Sequence, residues 1–176
     1  MRLPSIFTVM FLFCSTLPAR DKADLAPKEK DMRPWGTTVE GLRLSLACAK
    51  REYAAKDPVE VHVVLQNVSA KSRTIVHAHT LLIYNVSVVG PSGKEIPMTP
   101  RGKEIVQGAA AGIMGTRVVK PGEELSRTLE LGQVFDIGMQ GDYKITLSRL
   151  VPNLDDEKKF STLTSNTISI RILKDK

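Results

Sequence analysis

The sequence has little cysteine, and this excludes a small domain held together by disulfides. Only two of its 176 residues are cysteine, Cys14 and Cys48, and Cys14 lies in an N-terminal apolar run. Removal of that run would leave Cys48 alone, so we expect a domain without a disulfide, stabilised by its apolar core. Cys48 alternates in register with Leu42, Leu44 and Leu46. We therefore interpret it as a small buried residue and not as a nucleophile.

Aromatic residues are also scarce, and basic residues are not segregated from acidic ones. Nine residues are aromatic, and 25 Lys and Arg stand against 19 Asp and Glu, for a net charge of +6. A nucleic-acid interface would want a basic stripe with interleaved aromatics, so we expect no nucleic-acid partner. The chain also lacks a phosphate-binding loop, a G-x-S-x-G motif and a zinc-protease helix. These absences favour a protein that is not an enzyme and has no cofactor.

The most strongly apolar stretch of the sequence lies at the N-terminus. A positive charge at Arg2 precedes the apolar run IFTVMFLFC (6–14), and Ala19 follows as a small exit residue. This order predicts a signal peptide over residues 1–19, hence a secreted or periplasmic protein with no membrane span after cleavage. The alternative is an anchor that stays attached. The charged residues 20–35 then read as a flexible linker.

The remainder, residues 36–176, is dominated by alternation of apolar and polar residues with a period of two. That period indicates half-buried β-strands, and turn residues separate the strands at AKDP, GPSG and KPGE. We expect an all-β, antiparallel β-sandwich of about seven strands. No convincing helix is predicted, and segment 99–115 is interpreted as a long loop with one short strand. The alternating segments are LRLSLAC (42–48), VEVHVVLQN (59–67), LLIYNVSVV (81–89), ELSRTLEL (124–131), YKITLSRL (143–150) and SNTISIRIL (165–173).

The stretch FDIGMQGDYKITL (135–147) is best explained as architecture. Gly141 would permit a tight turn, Phe135 would be buried, and Tyr143 would start a strand with its hydroxyl bonded to backbone a few residues upstream, as in the tyrosine corner of immunoglobulin-like domains. A catalytic interpretation would need an acid partnered at defined spacing, and none is present. With DPVEVHVVLQNVS, VKPGEELSRTLEL and GDYKI in this order, residues 35–173 resemble small secreted immunoglobulin-like domains of bacteria. The layout is also similar to the intracellular proteinase-inhibitor domain of bacilli. The resemblance implies a fold and no catalytic residues.

Two groups of residues are candidates for a site. His77 and His79 would project from the same face of a strand, a spacing used in metal sites, but a third ligand would be needed and only His62 is a candidate. Segment 99–115 carries Arg101, Lys103, Ile113 and Met114, which we take as candidate binding residues. Its apolar side chains either cover a sheet edge or meet a partner.

The sequence thus predicts an exported, non-enzymatic binding module, expected to be a monomer. Its partner would be an unknown protein or envelope component. The alternatives are a module resembling a protease inhibitor, or a small metal-binding protein that uses His77 and His79.

Overall fold

The structure is a computed structural model that describes residues 33–110, 112, 114–156 and 158–174. The predicted signal peptide, most of the predicted linker and the candidate binding residue Ile113 lie outside these residues. Ten strands occur within the described part: β1 (Leu42–Cys48), β2 (Glu52–Tyr53), β3 (Glu60–Asn67), β4 (Arg73–His77), β5 (Asn85–Val89), β6 (Gly115–Val119), β7 (Glu124–Glu130), β8 (Gly141–Pro152), β9 (Phe160–Thr164) and β10 (Ile168–Ile172).

The strands form three sheets, almost entirely antiparallel. One sheet has the order β1-β3-β7, and the second has the order β2-β10-β8-β5 with β9 also paired to β8. Strands β4 and β6 form a two-stranded sheet. The short contact between β2 and β10 is parallel. The expected predominance of antiparallel β-strands is therefore confirmed, with ten strands in the described part where about seven were expected. The immunoglobulin-like sandwich stays a prediction.

The core is one cluster of buried apolar side chains supplied by both larger sheets. Leu42, Leu44 and Leu46 of β1 are fully buried, as are Tyr143 and Ile145 of β8. Alternation of side chains along a strand places every second residue in this core, which is the pattern that the sequence shows. The only cysteine among the described residues, Cys48, is free and packs half-buried against the cluster.

Segment 99–115 contains a helix, so its interpretation as a loop is wrong. Helix α2 spans Pro100–Ala110. The Oγ1 of Thr99 accepts a hydrogen bond from the backbone N–H of Gly102 at 2.9 Å, which caps the helix, and proline is well suited to the first helical position. Ile105 and Val106 pack against the core. Helix α2 thus covers part of the core with one face.

A second correction concerns segment 81–89, which was expected to be one strand. A single helical turn, α1 (Thr80–Ile83), precedes β5. A 3₁₀ turn also spans Leu131–Gln133. None of the helices among the described residues is long and apolar enough to cross a membrane.

The expected burial and backbone hydrogen bond of Tyr143 are confirmed. Tyr143 is fully buried, and its hydroxyl donates a hydrogen bond to the carbonyl oxygen of Met139 at 2.8 Å. Gly141 has a φ of 135°, a backbone conformation that residues with a side chain rarely adopt. Phe135 is buried, as expected. The stretch 135–147 therefore fastens the start of β8 to the segment before it.

Asn67, the last residue of β3, ties the first sheet to the β4–β6 sheet. Its buried Nδ2 donates hydrogen bonds to the carbonyl oxygens of Lys71 at 2.7 Å and Val119 at 2.9 Å. Its Oδ1 accepts a hydrogen bond from the backbone N–H of Ser69 at 3.0 Å. A buried amide with these partners satisfies the polar groups of the turn that follows β3.

Candidate functional site

The candidate site is a cleft of about 590 Å³ beside the C-terminal half of β8. Strand β5 pairs with β8 only as far as Ser148, whereas β8 continues to Pro152. Strand β9 pairs with β8 from Ser148 to Pro152. The cleft lies next to this part of β8, where β5 no longer pairs with it. It is lined by residues of β4, α1, β5, β8 and β9, by Tyr84 and by the segment before α2: Val76, Leu81, Leu82, Ile83, Tyr84, Asn85, Met98, Ser148, Arg149, Leu150, Phe160 and Thr162.

Two large apolar side chains of the cleft are open to solvent. Leu150 is 60% exposed and Phe160 is 53% exposed. Leu150 occupies an outward position of β8, and Phe160 begins β9 at the pair with Pro152. Exposed apolar side chains that cluster at a concave surface are typical of binding sites, because contact with water is unfavourable for them and contact with a ligand is favourable.

Arg149, another residue that lines the cleft, occupies a core position of β8. Tyr143, Ile145, Leu147 and Val151 alternate along the inward face of β8, and Arg149 takes the place between the last two. Its side chain is almost fully buried, at 5% exposure. The Nη2 of Arg149 donates to the carbonyl oxygen of Val76 at 3.0 Å.

The phenol of Tyr84 is the second neighbour of the Arg149 guanidinium. The Nη1 of Arg149 is 3.4 Å from the Tyr84 hydroxyl oxygen, and the guanidinium carbon lies 5.1 Å from the centre of the Tyr84 ring. Tyr84 is placed by α1, since its backbone N–H donates to the carbonyl oxygen of Thr80 at the end of that turn. The sequence folds this way because His79 caps the turn, its Nδ1 accepting from the N–H of Leu81 at 3.4 Å.

The two histidines of the metal hypothesis do not share a strand face. Strand β4 ends at His77, and His79 lies beyond it as the cap of α1. The Nε2 of His77 contacts the guanidinium of Arg127, and His62 has its Nδ1 3.2 Å from the hydroxyl of Thr128. Within the described ranges, no three His, Cys, Asp or Glu side chains are grouped so as to hold a metal ion. The expected strand spacing was wrong because the chain turns into α1.

A smaller cleft of about 310 Å³ next to His77 is lined mainly by polar side chains. Arg117 and Arg127 lie on its wall with Glu124. Arg117 is already paired with Glu123 at 3.1 Å. Part of the positive charge in this cleft is therefore already neutralised by Glu123.

The candidate binding residues that are described lie at the surface, apart from the cleft lining. Arg101 and Lys103 are exposed on α2, and Arg101 pairs with Glu104 at 3.2 Å. Met114 is exposed between α2 and β6. Their role in binding stays a prediction. Ile105 and Val106 of α2 are half-buried and pack against the core, and the alternative that the segment covers a sheet edge also stays a prediction.

Cys48 is not arranged as a nucleophile. Burial raises the pKa of its thiol above the ordinary value, an effect that outweighs the hydrogen bond with Tyr53 and the charge of Arg51. Its Sγ lies 2.9 Å from the carbonyl oxygen of Lys50 and donates to it. A thiol that stays protonated is a poor nucleophile.

The cleft was missed at the sequence level, although one signal for it is present. In YKITLSRLV an arginine occupies an inward position of an otherwise apolar alternation. A charge at such a position needs a special environment. Tyr84 and Phe160 offered no comparable signal, because aromatic residues are common in strands.

Comparisons with known proteins identify no family for this chain. No family model matches, and no curated protein matches. Among solved structures, β-glucosidase from Listeria innocua in complex with isofagomine is similar over 74% of this chain and 16% of its own length, with 11% identity and a TM-score of 0.40. A mutant of that enzyme in complex with laminaribiose covers 90% of this chain, with 20% of its own length, 10% identity and a TM-score of 0.39.

A third similar structure is β-D-glucoside glucohydrolase from Trichoderma reesei. It covers 81% of this chain and 19% of its own length, with 13% identity and a TM-score of 0.34. The chain thus spans a fifth or less of the length of these enzymes. At this level of similarity they carry no argument about its activity.

Proposed function

We propose that the chain is an exported, non-enzymatic binding module with an immunoglobulin-like β-sandwich fold, and that its ligand enters the cleft beside β8. The observation that carries this proposal is the exposure of Leu150 and Phe160 at the same cleft. Small-molecule sites are concave, about 300–1,000 Å³ in volume, and mostly apolar with a few polar groups. The cleft has this size and this composition.

Two further observations support the fold and the location. The hydrogen bond from Tyr143 to Met139 resembles the tyrosine corner of immunoglobulin-like domains and supports that fold. Export is supported by the sequence order of Arg2, the apolar run 6–14 and Ala19.

The other candidate functions have less support from the contacts. Resemblance to a proteinase-inhibitor domain remains a prediction from the sequence layout. For metal binding through His77 and His79, the contacts of His77 with Arg127 and of His79 with Leu81 already use one ring nitrogen of each histidine.

The test is retention of a component from an envelope extract by immobilised protein, purified after expression of the full chain. The cleft variant replaces Leu150 and Phe160 by Ser. The matched control is Met139→Ser, because Met139 is 66% exposed and does not line the cleft. We expect the wild type and the control to retain the same component and the cleft variant to lose it.

Two results would count against the proposal. Equal retention by all three proteins would place the interface elsewhere, and charge reversal of Arg101 and Lys103 on α2 would then be the next comparison. Absence of any retained component in the wild type would remove the support for a binding module.

A further inference from the structure

The guanidinium of Arg149 is buried and has no anionic partner among the described residues. None of the ion pairs found between described residues includes Arg149. A guanidinium has five N–H donors, and the acceptors in the described part are the carbonyl of Val76 and the hydroxyl of Tyr84. The Nε is buried and has no partner there.

Burying this guanidinium without an anion costs folding free energy. A buried charge loses its hydration and is normally paired or fully hydrogen-bonded. The ring of Tyr84 offsets part of this loss, since a cation near an aromatic face is attracted to it. Neither the ring nor the two neutral oxygen acceptors carries a full negative charge, so the site remains electrostatically unbalanced.

We propose that the cleft binds a small organic carboxylate with an apolar body. The carboxylate lies against the guanidinium of Arg149, and the apolar body lies against Leu82, Met98, Leu150 and Phe160. Guanidinium and carboxylate have matching planar geometry and form strong, charge-assisted hydrogen bonds. The apolar walls favour an organic acid over an inorganic anion. This inference rests on the proposed binding function of the same cleft.

A second buried arginine provides an internal control. Arg73 of β4 is 7% exposed, its Nη2 donates to the carbonyl of Pro152, and its Nε also lacks a partner among the described residues. Arg73 does not line the cleft. Loss of charge at Arg73 should therefore perturb folding to a similar degree without changing recognition of a ligand in the cleft.

The experiment is calorimetric titration of the purified protein with three probes. Octanoate has a carboxylate and an apolar body, octanol has the apolar body alone, and acetate has the carboxylate alone. We expect octanoate to bind roughly tenfold or more tightly than octanol, since a hydrogen bond to a charged group is worth about 1.5–3 kcal/mol. Acetate should bind least.

The variants test whether the preference comes from Arg149. In Arg149→Gln the preference for octanoate over octanol should vanish, and in Arg73→Gln it should persist. Because Arg149→Gln could fail to fold, a second pair uses the exposed Leu150. Leu150→Glu and Leu150→Lys remove the same apolar contact and differ in the sign of the charge. Octanoate should bind the Glu variant more weakly than the Lys variant, whereas octanol should bind both alike.

The outcomes separate this inference from the proposed function. Equal affinity for octanoate and octanol, with both weakened in the Leu150 variants, would overturn the carboxylate inference and leave a binding cleft in place. An octanoate preference that is unchanged by the charge at Leu150 would overturn it as well. If neither probe binds, the inference fails, and retention of an extract component decides the binding function by itself.

Discussion

Replacement of Tyr143 by Phe tests how the start of β8 is held in place. The ring of Tyr143 is fully buried, and its hydroxyl donates to the carbonyl of Met139 at 2.8 Å. Phenylalanine keeps the ring and removes only that donor. The substitution therefore isolates the hydrogen bond from the apolar packing of the side chain.

The substitution should lower the free energy of unfolding because the carbonyl of Met139 loses its hydrogen-bond donor. A buried acceptor left without its partner costs about 1–3 kcal/mol. The side chain of Met139 is largely exposed, so water can approach this part of the chain, and we place the loss in free energy of unfolding at about 1–2 kcal/mol. For a domain of this size, each kcal/mol lowers the melting temperature by about 2–4 °C.

The assay is urea unfolding followed by circular dichroism, with Met139→Ala as the control. That control keeps the backbone carbonyl and removes an exposed side chain, so it should change the free energy of unfolding by less than about 0.5 kcal/mol. Equal stability of Tyr143→Phe and the wild type would refute the view that the hydroxyl fastens the corner.

The same variant should alter the response to alkaline pH. Burial raises the pKa of Tyr143 above its ordinary value of 10.0, and the hydrogen bond to Met139 lowers it by less. Above pH 10 the unfolded chain loses this proton before the folded chain does, so the free energy of unfolding falls as pH rises through the folded pKa. Tyr143→Phe should show a shallower fall than the wild type. Identical slopes would contradict the assignment.

The other predictions concern α2, the surface of β8 and export. Gly102→Ala should lower the free energy of unfolding by about 1–3 kcal/mol, because an added Cβ would lie 2.5 Å from a neighbouring carbonyl oxygen. Gly108→Ala meets nothing within 4 Å and should raise it by about 0.5–1 kcal/mol in the same urea experiment, so equal effects would contradict the packing of α2. NMR titration should find the pKa of Asp142 below its ordinary value because the Arg171 guanidinium donates to it. Arg171→Gln should return that pKa, and an unchanged value would rule out this cause. Mass spectrometry of protein from its host should show cleavage near Ala19, whereas an intact N-terminus in membrane fractions would indicate an anchor.

The strands and the corner could be predicted because their signals are local. Alternation in LRLSLAC and VEVHVVLQN places every second side chain in the core, and this pattern depends little on the rest of the chain. Gly141 and Tyr143 are likewise two residues apart and act on the same turn.

Helix α2 was missed because two kinds of signal conflict within it. Gly102 and Gly108 lower helix propensity, and they hid the capping signal of Thr99 followed by Pro100. The structure shows that Gly102 is needed for close approach to Val134. That requirement is a tertiary contact, which the local sequence does not reveal.

The cleft could not be predicted, because it depends on where strands stop. Pairing of β5 with β8 ends at Ser148, and the turn of α1 then brings Tyr84 to Arg149. These partners lie 65 residues apart in the chain. The sequence showed only that Arg149 occupies an inward position of β8. It did not show which residues lie next to Arg149.

The most direct measurement is an amide NMR titration of the protein with octanoate. We expect the chemical-shift changes to concentrate in the second half of β8, from Ser148 to Pro152, in α1 and at the start of β9. Octanol at the same concentrations should leave the Arg149 side-chain signals less affected. Changes centred on Arg101 and Lys103 of α2, or no saturable changes, would contradict a carboxylate-binding cleft beside β8.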